Sequence, residues 1–316
     1  MIKILITGAG GQLGSVLTKE LQQKFGVQNV IATDLLEKPN FMGHFEQLDA
    51  TDYKAIEKIV VENKINQIYH LAAILSAKGE ENPLKTWDIN MKSLFNVLEV
   101  SRLYGIDKVF YPSSIAVFGD KIPRENTPQN PNLTPTTVYG ISKSSGENWG
   151  NYYFEKYGLD VRSLRYPGII GYQSLPGGGT TDYAVDIYHK AVKKEKFSCF
   201  LEKNTVLPMI FMNDAIRATV ALMDAPKENI SVRTSYNLAG MSFSPKEIFE
   251  SIKKIYPNFR ISYKPDFRQK IASSWPQSIN DTNAREDWGW KPAYNLDRMS
   301  KIMIQKLEEQ YKLATI

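Results

Sequence analysis

The sequence predicts an α/β protein with a doubly wound parallel sheet and a smaller C-terminal α+β lobe. Over the first half of the chain, short apolar segments alternate with amphipathic ones, as in a parallel sheet covered by helices. A glycine-rich turn directly follows the first apolar segment. After Pro167 the pattern changes, because Gly and Pro become frequent and the connections lengthen. The second half is therefore expected to form the smaller lobe.

The first six strands and four helices follow from this alternation. Several strand candidates are apolar on both faces, as a buried parallel sheet requires. The predicted strands cover Lys3–Thr7, Val30–Asp34, Phe45–Asp49, Gln67–Ala72, Lys108–Ser114 and Asp160–Pro167. The predicted helices cover Gly11–Phe25, Tyr53–Asn63, Trp87–Tyr104 and Tyr139–Tyr157. A further strand and helix are expected over Leu207–Met223, with Asn213 or Asp214 as the helix cap.

Composition excludes several classes of protein. The chain has 316 residues, 42% of them hydrophobic, a net charge of +5 and one cysteine, so an intrachain disulfide and a cysteine-based metal site are excluded. The three histidines have no metal-ligand spacing, and no metal is expected. Basic residues are mixed with acidic ones, which argues against nucleic acid. The apolar runs are far shorter than the ~20 residues of a membrane span. Without a targeting segment, a cytoplasmic protein is expected.

The glycine-rich turn joins the first predicted strand to the first predicted helix. Gly8, Gly11 and Gly14 have the spacing G-x-x-G-x-x-G, a variant of the dinucleotide-binding fingerprint. Glycines there let the backbone approach a pyrophosphate at the positive end of the helix. Asp34 ends the second strand, where a carboxylate suits the ribose hydroxyls of adenosine. No arginine lies beside Asp34 to meet a 2′-phosphate, so the sequence predicts NAD rather than NADP.

Further NAD contacts are expected where the third and fourth strands end, because ligands of such sheets lie at the carboxyl ends of the strands. An acid after the third strand suits the adenine, and small residues after the fourth let the nicotinamide half pass. With the turn, the predicted contacts are Gly8, Gly11, Gln12, Leu13, Gly14, Asp34, Asp49, Ala50, Leu71, Ala72 and Ala73. Residues 1–168 are thus expected to form an NAD-binding Rossmann domain, which residues of about 205–241 rejoin. Residues 169–204 and 242–316 are expected to form a substrate-binding lobe.

A tyrosine and a lysine four residues apart form the predicted catalytic group. Tyr139 and Lys143 lie on one face of a predicted helix. An unperturbed phenol, with a pKa of ~10, is a poor base at neutral pH. We expect the Lys143 ammonium and the cationic nicotinamide to lower the pKa of Tyr139. Ser113 and Ser114 end the fifth strand, so a hydroxyl can meet Tyr139 over the cofactor. Ser114, Tyr139 and Lys143 are the predicted catalytic residues.

Together these motifs resemble the extended short-chain dehydrogenase/reductase family, which includes NAD-dependent sugar-nucleotide epimerases and dehydratases. The resemblance rests on the glycine turn, Asp34, His70–Ala73, Ser113–Gly119, Tyr139 with Lys143, and Leu164–Gly168. It implies that Tyr139 is the general base, that Ser114 binds the reacting oxygen and that Lys143 holds the nicotinamide ribose. It also implies that Asn90 belongs to the active-site network and that Tyr166 and Ile169 pass beside the nicotinamide.

Several segments outside these shared motifs are similar to the short-chain type of L-threonine 3-dehydrogenase. The most specific is Pro-Gly-Gly-Gly-Thr-Thr-Asp-Tyr-Ala over residues 176–184. The similarity implies oxidation of L-threonine at C3 to 2-amino-3-oxobutyrate, with the hydride passing to NAD+. The glycines can offer backbone N–H groups to a carboxylate, and their loop is expected to close over the substrate. The expected substrate-binding residues are Ser76, Ser114, Tyr139, Gly178, Thr180 and Trp275.

Two other functions stay open. A UDP-sugar 4-epimerase would use the same tyrosine with a tightly held NAD, and Arg260, Lys264, Arg268 and Lys270 could meet its diphosphate. An inactive NAD-sensing protein is the second alternative, although it would not need the intact catalytic trio.

Two helices carry more apolar residues than one core-facing stripe needs. They cover Asn90–Tyr104 and Ser142–Tyr157. In the family that the sequence resembles, the corresponding helices pair with their copies as a four-helix bundle, so a homodimer is expected. Burial of these residues under the second lobe is the alternative.

Overall fold

The computed structural model describes residues 2–37, 41–177 and 179–313. The strands are β1 Ile4–Thr7, β2 Val30–Asp34, β3 His44–Gln47, β4 Gln67–His70, β5 Lys108–Ser114, β6 Asp160–Tyr166, β7 Gly168–Ile170, β8 Phe197–Cys199, β9 Leu207–Phe211, β10 Tyr236–Asn237, β11 Met241–Phe243 and β12 Ile261–Tyr263. The helices are α1 Gln12–Phe25, α2 Tyr53–Glu62, α3 Ser76–Gly79, α4 Pro83–Leu103, α5 Val138–Tyr157, α6 Tyr183–Val192, α7 Met212–Asp224, α8 Pro245–Lys253, α9 Arg268–Ser273, α10 Thr282–Trp288 and α11 Leu296–Leu313.

The large sheet has seven parallel strands in the order β10-β6-β5-β4-β1-β2-β3. The order reverses between β1 and β4, so Thr7 and His70, which are paired in register, border the crevice where such sheets bind ligands. One face packs on α1 and α7 through residues such as Leu17 and Ala215. The other packs on α2 and α4 through residues such as Ile56 and Val97. This arrangement confirms the predicted doubly wound α/β fold.

The second lobe has its own sheets and core. β9 lies between β7 and β11, and β8 pairs with β12. Its apolar core includes α6, α8 and α11. β10, from the same half of the chain, pairs with β6 of the large sheet. The division into an NAD-binding domain and a substrate-binding lobe stays a prediction. Among the described residues, no helix is long and apolar enough to cross a membrane.

One predicted cap is wrong. Helix α7 begins directly after β9, with Phe211 at the N-cap and no side-chain cap. Asp214 is buried two residues inside the helix and accepts the N–H groups of Ala293 and Tyr294, at 2.9 and 3.2 Å. The local sequence pattern assigns this carboxylate to the helix cap, but in the structure it binds backbone N–H groups of a loop that is distant in the chain.

Candidate active site

The glycine turn packs its backbone tightly at the start of α1. Gly8 has φ +75°, and a Cβ there would lie 2.6 Å from the backbone nitrogen of Ala72. A Cβ on Gly14 would overlap the carbonyl oxygen of Gly8. Gly11 is the N-cap, and the first turn has neither a side-chain cap nor an acidic residue. The helix that begins at Gln12 thus has no side-chain cap on its first N–H groups, which fits a pyrophosphate at this helix N-terminus.

Asp34 connects the end of β2 to this turn. Its Oδ2 accepts the backbone N–H of Gly10 at 2.8 Å. The carboxylate therefore lies next to the glycine turn, as expected of an acid that binds the adenosine ribose. Asp49 is exposed after β3, and its Oδ1 accepts both the backbone N–H and the hydroxyl of Thr51, each at 2.8 Å. Ala50 follows it and is buried.

Asn90 fixes the segment that leaves β4. From α4, its amide accepts the N–H of Ile74 at 2.8 Å and donates to the carbonyl of Ile74 at 3.1 Å. The same amide donates to the Ser142 hydroxyl on α5 at 3.3 Å. This holds the half-buried residues Leu71, Ala72 and Ala73 beside the catalytic helix.

Tyr139 lies in the first turn of α5, where Thr137 caps the helix by accepting the N–H of Gly140 at 3.1 Å. Tyr139 is half-buried, and its phenol is hydrogen-bonded to the Ser114 side chain. Burial raises the pKa of Tyr139 and the hydrogen bond with Ser114 lowers it, with a result of about 12. In the protein alone, burial thus outweighs the neighbouring polar groups, and the lowering expected from Lys143 together with the nicotinamide stays a prediction.

Lys143 lies one turn further along α5 and is 3% exposed. Burial lowers its pKa to about 7, although the charge of Glu147 acts in the opposite direction. Its Nζ is 5.5 Å from the ring centroid of Tyr139 and 4.3 Å from that of Tyr111. The structure therefore brings Ser114, Tyr139 and Lys143 together at the carboxyl end of β5.

A buried polar network that the sequence analysis missed lies beneath this trio. Glu147 accepts the Ser113 hydroxyl at 2.5 Å and forms a two-pronged pair with Arg165, at 2.9 and 2.7 Å. Arg165 also donates to the carbonyl of Gln129 at 2.6 Å and to the side chain of Asn237 at 3.1 Å. Ser113 is thus held by this network, whereas the Ser114 side chain is hydrogen-bonded to Tyr139. Glu147 lies four residues after Lys143 on the same helix face, and this spacing is the feature of the sequence that could have indicated the network.

The glycine loop after β7 already binds a carboxylate in this structure. The backbone N–H groups of Gly177 and Gly179 donate to Oδ2 of Asp182, at 2.6 and 2.8 Å. Thr180 is buried, and Gly178 lies outside the described residues. In this structure a carboxylate of the chain itself therefore occupies these two N–H groups, and their contact with a substrate carboxylate stays a prediction.

The other predicted residues lie further apart. Ser76 begins α3 and is half-buried, as is Ile169 on β7. The Tyr166 hydroxyl contacts Thr219 on α7, so the side chain of Tyr166 points into the core. Trp275 belongs to the core of the second lobe. Contacts of these residues with ligands stay predictions.

Comparison with known proteins identifies close relatives over nearly the whole chain. Residues 4–239 match the family described as the NAD dependent epimerase/dehydratase family. An uncharacterized epimerase/dehydratase of Staphylococcus aureus is 44% identical over 315 residues, 98% of each chain. A GalE-like L-threonine dehydrogenase from Cupriavidus necator, in its holo form, is 51% identical with a TM-score of 0.95, covering 96% of this chain and 99% of that one. A monomeric L-threonine 3-dehydrogenase from a metagenome, in apo form, is 50% identical with a TM-score of 0.94, covering 97% and 99%.

Proposed function

The chain belongs to the NAD dependent epimerase/dehydratase family, and from this premise we propose that it is an NAD-dependent L-threonine 3-dehydrogenase. It oxidises L-threonine at C3 to 2-amino-3-oxobutyrate. The observation that carries the reaction type is the grouping of half-buried Ser114 and Tyr139 with buried Lys143 at the carboxyl end of β5. The choice of threonine is supported by the likeness, at about half identity over nearly the whole chain, to L-threonine dehydrogenases.

The family's cofactor fits the residues present. The glycine turn at α1 would hold the pyrophosphate, Asp34 the adenosine ribose, and Lys143 the nicotinamide ribose. Tyr166 and Ile169 would line the nicotinamide half through their backbone. When bound, NAD+ supplies the hydride acceptor and a positive charge.

Side chains of the protein accept the proton that leaves the substrate hydroxyl. Tyr139 takes the proton from the C3 hydroxyl of threonine, and Ser114 donates a hydrogen bond to the oxygen as it becomes a carbonyl. Because burial raises the pKa of Tyr139 to about 12 in the protein alone, positive charge close to the phenol is needed to form the phenolate near neutral pH. The Lys143 ammonium, on the same helix face, is the protein's source of that charge.

The glycine loop is the proposed substrate clamp. Its N–H groups bind the Asp182 carboxylate here, and the threonine carboxylate presents the same chemical group. Thr180 and Ser76 would contribute hydroxyls and Trp275 an apolar wall. The reaction is a catabolic step for threonine, which we expect in the cytoplasm.

The epimerase alternative loses one of its four supporting basic residues, Arg268. This side chain makes a two-pronged pair with Asp266, at 3.1 and 2.6 Å, and its guanidinium carbon is 3.2 Å from the ring centroid of Phe200. The Arg268 guanidinium is therefore already paired and is not free to bind a diphosphate.

Steady-state formation of NADH with a panel of amino acids and UDP-sugars tests the proposal. We expect NADH with L-threonine and none with UDP-glucose. Interconversion of UDP-glucose and UDP-galactose without net NADH would instead establish the epimerase. Cofactor binding with neither reaction would establish the NAD-sensing protein.

We also propose a homodimer formed by α4 and α5. Trp149, Tyr152 and Tyr157 on α5 are each about 40% exposed, and the Trp149 ring contacts Phe95 of α4 with centroids 5.0 Å apart. An exposed aromatic face across two helices favours pairing with a second copy. Sedimentation should show a dimer that Trp149→Glu converts to a monomer, while the distant exposed Val27→Glu control stays dimeric. A monomeric wild type, like the metagenome relative, would overturn this.

A further inference from the structure

A tyrosine ring outside the predicted trio lies directly against the Lys143 ammonium. Tyr111 is on β5, three residues before Ser114, and is 4% exposed. Lys143 Nζ is 4.3 Å from its ring centroid, closer than to the ring of Tyr139. A cation within about 6 Å of a ring centroid is attracted by the negative face of the ring, and more strongly where water is excluded. Because both Lys143 and Tyr111 are buried, water is largely excluded and the attraction is of this stronger kind.

The Tyr111 ring is held in place on two sides. A Cβ added to Gly146 would lie 2.5 Å from its Cε1 and Oη, so α5 packs onto the ring only because residue 146 is glycine. The His70 ring stacks on Tyr111, with centroids 6.3 Å apart and planes 17° apart. His70 is itself hydrogen-bonded to the Thr7 hydroxyl at 2.8 Å. The ring therefore offers Lys143 a fixed surface.

The charged groups around Lys143 do not replace this contact. On α5, Glu147 is paired with Arg165 and bonded to Ser113. On β4, burial lowers the pKa of His70 to about 3, so it is neutral. Burial also raises the pKa values of Tyr111 and Tyr139, which are neutral near pH 7. Among the described residues, none hydrogen-bonds Lys143 Nζ. The charge of Glu147 also favours the ammonium, and of the two tyrosine rings in contact with Nζ that of Tyr111 lies closer.

We propose that Tyr111 is a positioning residue that holds the Lys143 ammonium beside Tyr139 through a cation–π contact. Gly146 is part of the same arrangement, because it admits the ring. The consequence for catalysis rests on the proposed function, whereas the contact itself does not. In the proposed reaction, an ammonium held this way would favour the Tyr139 phenolate and would be available to the nicotinamide ribose.

A double-mutant cycle at two pH values tests the contact. The unfolding free energies of the wild type, Tyr111→Leu, Lys143→Met and the double variant are measured without cofactor at about pH 6 and about pH 9. A cation–π contact acts on the ammonium and not on the neutral amine. We expect about tenfold coupling in the unfolding equilibrium constant at the lower pH and almost none at the higher pH. Equal coupling at both pH values would identify ordinary packing and overturn the proposal.

Shape-conserving replacements separate the ring's charge distribution from its volume, and they apply even if Tyr111→Leu fails to fold. Tyr111→Phe keeps the ring face and should keep the coupling within about twofold. Pentafluorophenylalanine in place of Tyr111 keeps the shape but reverses the ring's quadrupole, and should abolish the coupling. Full coupling in the fluorinated protein would refute the proposal. Coupling as predicted in a protein that does not oxidise threonine would refute the proposed function alone.

Discussion

Replacing Lys143 with Met should flatten the rise of folding stability between pH 7 and pH 9.5. The folded protein holds this lysine at a pKa of about 7, against 10.5 for an ordinary lysine. Between these values the unfolded chain binds the proton and the folded protein does not. The free energy of unfolding therefore increases with pH through this window, and the stabilisation is lost as the pH falls to 7.

The size of the effect follows from the shift. One titrating group changes stability by at most ~1.4 kcal/mol per pH unit. From about pH 7.5 to 9.5 the wild type should gain on the order of 2–3 kcal/mol from Lys143, and the Met variant should lack this gain. Higher pH is avoided, because ordinary tyrosines titrate near ~10.

Urea unfolding of the cofactor-free protein at several pH values measures this difference. Lys58→Met, at an exposed position on α2, is the matched control and should follow the wild type. The reasoning fails if the difference between wild type and Lys143→Met is constant or falls with rising pH, or if Lys58→Met shows the same slope.

Three further predictions concern the proposed reaction. Tyr139→Phe should lower kcat by several orders of magnitude with NAD affinity nearly unchanged, and the wild-type rate should rise with pH as phenolate accumulates; more than a few per cent residual activity would contradict the base assignment. Asp34→Ala should lower the affinity for NAD and raise the affinity for NADP relative to NAD, as measured in binding titrations. The substitution removes a hydrogen-bond acceptor for the ribose and a negative charge that repels the 2′-phosphate. Equal use of both cofactors by the wild type would refute this. Thr180→Ala should raise KM for threonine and lower kcat/KM about ten- to a hundredfold, with NAD binding unchanged; an unchanged KM would move specificity to Ser76 and Trp275.

The main elements of the fold and the catalytic trio were readable from local patterns. Strand and helix periods, the glycine spacing and the tyrosine–lysine spacing depend on backbone geometry over a few residues. That is why β2 and β5 have their predicted bounds, and why Tyr139 and Lys143 share a helix face. The predicted cap of α7 is wrong because the Asp214 carboxylate instead accepts the backbone N–H groups of Ala293 and Tyr294, which lie nearly eighty residues away in the chain.

The sequence by itself determined the α/β class, the position of the glycine turn between β1 and α1 and the placement of Tyr139 and Lys143 on one helix face, since each depends on residues close together in the chain. The tertiary structure alone decided the electrostatics of the catalytic trio. Burial raises the pKa of Tyr139 and lowers that of Lys143, and the ring of Tyr111 reaches Lys143 from another element. Desolvation and Coulomb forces depend on distances in space. Folding sets those distances between residues that the chain separates, so spacing in the sequence could not reveal them.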